Sequence, residues 1–391
     1  MKLRRALLCL AALLLAAALG WLLLHTAVHS PAALSGGQER TLLRIWTVSA
    51  VGGGESWLKE QLRLFERKHP GVMTYLRAVS PDELTNPEAV LPDLVLYTPG
   101  TFAAPEEYFA PLAAPGALRE PLLRCGRWKG QQYGLPLCWG GYVLCIDGAL
   151  EPEGASTPAP TTLLGRPAAT PEASASPQSY PYEAAMAAAV PLAAPGGCGT
   201  LALCCLLEQS LRPPLPEGFA SPAEVYAAFR SRSCASAVLT TGQLTALASL
   251  ALSGKGFAYR AMVPGQVITD QVWLGSVIRG AEGSAAPELL AFLTGREAQQ
   301  GLSSQGLYPS LAGLALYYSG AEGAIEAAAA RSLTAVNAYV SPADVCAAGW
   351  QVYTGQTGLS EALLPLMWRT RRRYKSAPAG QDKPYTTWEG A

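Results

Sequence analysis

Histidine is nearly absent from this chain of 391 residues: there are three, His25, His29 and His69. The first two flank an N-terminal apolar run. Any Ser-His-Asp, Cys-His or His-metal chemistry in the body would therefore rest on His69 alone. His69 stands in Phe65-Glu66-Arg67-Lys68-His69-Pro70-Gly71, which reads as an exposed helix end closed by Pro-Gly. Most histidine-based enzymes are excluded on that ground. Charge is scarce as well, at 15% of residues against roughly 25% in an average soluble chain. Half the residues are hydrophobic, which excludes a disordered protein. Basic and acidic residues balance at 29 each, and without a basic excess nucleic acid is not an expected partner. No CxxC pair occurs, so zinc ribbons and thioredoxin-like sites are not expected. GxSxG, HExxH and EF-hand loops are absent, and Gly52-Gly53-Gly54 lacks the Lys and Ser/Thr of a phosphate loop. No metal, cofactor or catalytic residue is expected.

What the sequence does have begins at its N-terminus. Lys2, Arg4 and Arg5 precede an apolar run from Ala6 to Leu24, broken only by Gly20. About 20 such residues cross a bilayer as a helix, and cleavable signal peptides carry shorter runs. The length favours an uncleaved anchor, with cleavage near Ala27 or Ala33 as the alternative; either way the body is exported. Cysteines Cys125, Cys138, Cys145, Cys198, Cys204, Cys205, Cys234 and Cys346 form an even set in the body, which permits disulfides without fixing their pairing. Gly and Pro number 39 and 31, which implies many turns. The tail from Arg369 is basic and polar, so the neutral total conceals basic ends and an acidic body.

Residues 41–48 read as a strand, a helix follows from about Ser56 to Pro70-Gly71, and residues 72–79 and 92–97 read as further strands. That succession suggests βαβ units on a parallel sheet. Residues 132–147 read as one long buried strand with a Gly140-Gly141 break, and residues 151–181 as a Pro/Ala/Ser/Thr-rich insertion. Helix candidates follow at 183–189 and 201–211. Ser221-Pro222-Ala223-Glu224 is a helix start with Ser as N-cap. Strands are expected at 235–239 and 267–278, and helices at 286–301, 322–333 and 361–368.

Aromatic and small polar residues gather at the ends of the apolar strands. They are Trp46, Thr47 and Ser49; Tyr97; Trp139 and Tyr142; Thr240, Thr241 and Gln243; and Asp270 and Trp273. Ligands of open α/β sheets lie beyond the carboxyl ends of strands, and aromatic walls with a few polar groups suit a small polar ligand such as a sugar. These residues are the candidate ligand-binding set.

The order of three segments resembles the extracellular solute-binding proteins of ABC importers, in the maltose-binding-protein-like family 1. The first is Ile45-Trp46-Thr47, then Leu64-Phe65-Glu66-Arg67-Lys68-His69-Pro70-Gly71-Val72, then Leu91-Pro92-Asp93-Leu94-Val95. The second is Tyr133-Gly134-Leu135-Pro136 leading to Tyr142-Val143-Leu144. The third is Phe292-Leu293-Thr294-Gly295-Arg296-Glu297-Ala298-Gln299 with Gly306-Leu307-Tyr308-Pro309. The resemblance implies an α/β, two-lobed, periplasmic-binding-protein type II-like fold with hinge-crossing strands, preceded by a transmembrane or signal helix. It divides the chain into 1–30 (signal or anchor), 31–40 (linker), 41–147 with 263–312 (lobe 1), 148–262 with 313–368 (lobe 2) and 369–391 (a disordered basic tail). It implies capture of a small ligand, a sugar or oligosaccharide foremost, and delivery to a permease. Trp46, Tyr97, Trp139, Thr241 and Trp273 fall where the family lines its cleft. Pro99-Gly100 and Gly140-Gly141 stand where its sugar binders often carry acidic residues. An anchored sensor or scaffold with a degenerate cleft is the second reading, and a carboxylate-based hydrolase the third.

Overall fold

The computed structural model describes residues 40–86, 88–148, 192–207, 221–318 and 320–367, with Gln209, Arg212 and Leu215. The apolar N-terminal run, nearly all of the 31–40 linker, the 151–181 insertion, the 183–189 helix candidate and the basic tail lie outside the described residues. No helix among the described residues is long and apolar enough to cross a membrane.

The chain opens with β1 (Thr41–Thr47), α1 (Gly54–Lys68), β2 (Val72–Ala78), β3 (Leu94–Tyr97) and α2 (Glu120–Cys125). Next come β4 (Arg127–Trp128), β5 (Gln131–Gln132), β6 (Leu135–Trp139), β7 (Tyr142–Asp147), β8 (Leu192–Ala193), α3 (Cys198–Leu206) and α4 (Pro222–Arg230). Then follow β9 (Ser236–Thr240), α5 (Thr241–Leu252), β10 (Tyr259–Met262), β11 (Val267–Thr269), β12 (Val272–Val277), α6 (Ala286–Leu293) and α7 (Arg296–Gln299). The last are β13 (Tyr308–Pro309), α8 (Gly320–Arg331), β14 (Leu333–Ala335), α9 (Pro342–Tyr353) and α10 (Leu359–Met367).

Two sheets organise these elements. The larger has six strands in the order β13-β6-β12-β3-β1-β2, and the smaller has four, β10-β7-β9-β8. The β1–α1–β2 unit is parallel, with Thr41 opposite Val72 and Thr47 opposite Ala78, and β3 adds in parallel on the other side of β1. Leu58, Leu62 and Phe65 form the buried face of α1, because they recur at helical spacing. Trp57 is also buried there, and its indole Nε1 donates to the Ala298 carbonyl at 2.8 Å, tying α1 to α7. The sheet is mixed rather than parallel throughout: β12 inserts antiparallel between β3 and β6, and β13 pairs antiparallel with β6.

The apolar run 132–147 divides into β6 and β7, which belong to different sheets. Gly140-Gly141 is the passage between them, and the boundary drawn at residue 147 falls at the end of β7 rather than before it. The 267–278 run likewise divides: β11 pairs with β14, and β12 returns to the large sheet. The glycine pair marks the first break in the sequence, whereas the second is concealed, because a strand buried in either lobe has the same apolar composition. The 286–301 helix is interrupted at Gly295, whose extended backbone (φ −76°, ψ 159°) stops α6 and starts α7. Ser221 caps α4 as expected, in a reciprocal capping box with Glu224. The body cysteines are free thiols.

Gln299 knits lobe 1 together. Its Nε2 donates to the carbonyls of Leu137 and Leu293 at 2.6 and 2.8 Å, and its Oε1 accepts from Ser310 N at 2.8 Å. It is fully buried. Gln299→Met preserves volume, removes the Gln299 partner of the Leu293 carbonyl and of Ser310 N, and leaves the Leu137 carbonyl only its bond from Ser310 Oγ, so unfolding in urea should show a loss of about 2 kcal/mol or more. A loss under about 1 kcal/mol would show that these bonds are not needed.

Candidate functional site

The lobes are joined where two backbone crossings run side by side. Gly140-Gly141 carries the chain from β6 to β7, and Asp270-Gln271 brings it back from β11 to β12. Gly140 N donates to the Gln271 carbonyl at 2.7 Å, and Thr269 Oγ1 donates to the Gly140 carbonyl at 2.7 Å. Thr241, at the start of α5, closes the junction: its N–H donates to the Gly141 carbonyl at 3.0 Å, and its Oγ1 accepts from Gly141 N at 3.2 Å. A Cβ at Gly140 would stand 2.8 Å from that hydroxyl, so the position requires glycine.

On the floor beside this junction lies a polar cluster. Tyr142 donates from its hydroxyl to Asp270 Oδ1 at 2.6 Å. Gln271 Nε2 donates to the Tyr142 hydroxyl at 2.9 Å and to Asp270 Oδ1 at 3.0 Å. Asp270 and Gln271 are half-buried, whereas Tyr142 is buried. Burial first, and the Asp270 carboxylate second, push the Tyr142 phenol well above its ordinary value. The same two causes raise the Cys198 thiol.

A second polar group lies at the carboxyl ends of β1 and β3. Ser49 Oγ accepts from Thr98 N at 2.8 Å and from Thr98 Oγ1 at 2.9 Å, and it is 3.0 Å from Thr101 Oγ1. Trp273 Nε1 donates to the Ser49 carbonyl at 2.8 Å, linking this cluster to the strand that leaves the crossing. The facing edges of the lobes approach without side chains. A Cβ at Gly242 would lie 3.0 Å from the Gly52 carbonyl oxygen. Gly100, in a left-handed conformation, donates its N–H to the Ala338 carbonyl at 2.8 Å. The lobes therefore meet closed, edge against edge.

The remaining sequence candidates occupy distinct places. Tyr97 is fully buried, its hydroxyl 2.8 Å from Ser276 Oγ and 3.0 Å from the Tyr339 hydroxyl. Trp139 is buried, stacked on Tyr308 at 4.5 Å, with its Nε1 donating to the Pro309 carbonyl at 3.1 Å. Trp46 lies in the same apolar cluster as Val95 and Tyr97, with the Arg77 guanidinium 5.8 Å from its ring. Thr47 is buried one residue on, its carbonyl accepting from Val79 N. Thr240 and Gln243 bond each other reciprocally as the capping box of α5. Ser49, Trp273, Asp270, Tyr142 and Thr241 thus gather around the crossing, while Trp46 and Thr47 lie within β1 in lobe 1. Gln271, Thr101 and Tyr339 belong to this region and were not among the candidates. A polar pair interrupting an apolar run was the signal for Gln271; Tyr339 arrives from far along the chain and left none.

No family model matches the chain, and no curated protein matches it. Solved structures do. The GacH receptor of Streptomyces glaucescens, solved unliganded and with acarbose, aligns at a TM-score of 0.55 and 14% identity, over 84% of this chain and 97% of that one. An ABC substrate-binding protein from Listeria monocytogenes in complex with cycloalternan aligns at 0.54 and 14%, over 84% and 97%. The maltose/maltodextrin-binding domain MalE from Bdellovibrio bacteriovorus, bound to maltotriose, aligns at 0.52 and 14%, over 83% and 97%. The chain thus has the two-lobed fold of maltose-binding-protein-like, periplasmic-binding-type proteins. The neighbours named here are binding proteins rather than enzymes.

The buried phenols of Tyr97, Tyr142 and Tyr339 all titrate above their ordinary value, burial being the first cause. The folded state therefore holds protons that the unfolded chain releases from about pH 10 upward. Their contribution to stability is full below that pH and declines as the pH rises through it. A titration followed at 295 nm should show these tyrosines ionising only as the chain unfolds. Reversible ionisation of every tyrosine in the folded protein would contradict this.

Proposed function

We propose that this chain is an extracytoplasmic solute-binding protein. It captures a small ligand, a sugar or oligosaccharide foremost, between its lobes and delivers it to an ABC transporter permease. The carrying observation is the junction itself: two paired crossings, one of them glycine, with hydroxyl, carboxylate and amide groups on both sides and edges that meet without side chains. Such a junction lets two rigid lobes part and close about a ligand. Ser49, Thr98 and Thr101 offer hydroxyls from lobe 1, and Asp270, Gln271 and Tyr142 offer acceptors and donors from the floor. This mixture suits a polyhydroxylated ligand, whose hydroxyls both donate and accept. The neighbours bound to acarbose, cycloalternan and maltotriose support a saccharide. The apolar run behind Lys2, Arg4 and Arg5 supports export, with the body outside the cytoplasm, tethered or released.

The test is a thermal-shift and calorimetric panel of oligosaccharides against the protein. A true ligand at a hundredfold excess over Kd should stabilise the fold by about 2.7 kcal/mol. Asp270→Asn removes a charged acceptor and should weaken that ligand by about tenfold to a hundredfold. No saccharide response, or binding indifferent to Asp270, would count against this reading.

A further inference from the structure

A groove at the opposite end of lobe 1 has no part in ligand capture. It lies between the last turns of α1 and the starts of β1 and β2, and Arg40, Arg63 and Arg67 line it together with Glu60, Glu66 and Pro70. Arg63 and Arg67 are one turn apart on α1 and share a face. Arg40 immediately precedes β1, whose first N–H is held by the Gly71 carbonyl at 2.8 Å, which sets the Arg40 backbone beside the end of α1.

Some arginines of the molecule are answered by a carboxylate, and among the described residues these three are not. Arg77, Arg119 and Arg232 each stand against a carboxylate. Among the described residues, Arg40, Arg63 and Arg67 form no such pair, and all three are exposed. Glu66 is turned inward, its Oε1 accepting from Thr74 N and Oγ1 at 2.7 and 2.6 Å. Glu60 is the other acid of the groove, so three guanidinium groups face two carboxylates, one of them engaged. Beside the groove, Met73 and Tyr75 are 47% and 53% exposed on the edge strand β2.

We propose that this groove binds the phosphate headgroups of anionic phospholipids. Guanidinium forks match phosphate oxygens, and exposed Tyr and Met beside them suit the boundary between headgroup and acyl chain. The position argues for a lipid source of phosphate: Arg40 is where the body joins the segment that leads to the apolar run. The groove lies at the amino ends of β1 and β2, whereas Ser49 and Thr98 follow the carboxyl ends of β1 and β3. Seven strand residues separate the two poles, about 20 Å. Lipid contact here holds the body against the bilayer with the cleft turned away from it.

The test uses the full chain in nonionic detergent, titrated with soluble dihexanoyl phosphatidylglycerol, dihexanoyl phosphatidylcholine and inorganic phosphate, and read by thermophoresis. Phosphatidylglycerol should bind, more weakly as salt rises. R40Q/R63Q/R67Q should weaken it by about tenfold or more. The corresponding lysine variant should retain most of the binding, and both variants should melt with the parent because the side chains are exposed. Equal binding of inorganic phosphate would reduce the site to a free-ion site. Equal binding of phosphatidylcholine, or indifference to the three substitutions, would overturn the proposal. Saccharide binding is measured separately, so the two readings fail independently.

Discussion

The structure depends on one constraint: two stretches of backbone must cross between lobes side by side with no room for a side chain at Gly140. The Gly140–Gln271, Thr269–Gly140 and Thr241–Gly141 hydrogen bonds satisfy the crossing internally. That matters because buried peptide groups without partners would cost several kcal/mol there. The large sheet follows from the same constraint. β12 can reach its place between β3 and β6 only because the second crossing returns the chain beside the first. Trp273 reaches the Ser49 carbonyl because the second crossing delivers β12 beside β3.

The junction also decides which groups remain polar and available. Tyr142 and Gln271 converge on one oxygen of Asp270, so the carboxylate is oriented from within the protein. The hydroxyls of Ser49, Thr98 and Thr101 are likewise held by each other and by the Thr98 amide. Groups fixed before a ligand arrives lose little freedom on binding it. The glycine edges at Gly52, Gly100 and Gly242 let the lobes approach to backbone distance in the closed arrangement.

Much of lobe 1 was legible from local pattern. The β1–α1–β2 unit follows from Leu58, Leu62 and Phe65 at helical spacing and from the Pro70-Gly71 stop. The Ser221–Glu224 capping box marks α4 outright. Gly140-Gly141 marked a break in its apolar run, though not that the two halves join different sheets; the division at Asp270-Gln271 escaped altogether, because a buried strand looks the same in either sheet. Helix α5 was missed too, since Thr241 to Leu252 is nearly uniform in hydropathy and has no sharp polar face. Among the candidate residues, strand ends pointed to Ser49, Tyr142, Asp270 and Trp273. Aromatic identity alone could not separate Trp46, enclosed in the lobe 1 core, from a residue beside the crossing. The partners of Tyr97 come from Ser276 and Tyr339, distant in sequence, and only the assembled sheets bring them together.

The central claim is that the lobes part and close about the paired crossings. It is tested most directly by measuring one distance across them, with spin labels on unnatural side chains at Lys59 in lobe 1 and Leu252 in lobe 2, both exposed. Pulsed electron resonance should resolve longer and shorter separations in the free protein, collapsing to the shorter one when an oligosaccharide ligand is saturating. A single separation, unchanged by any saccharide that binds, would contradict the account.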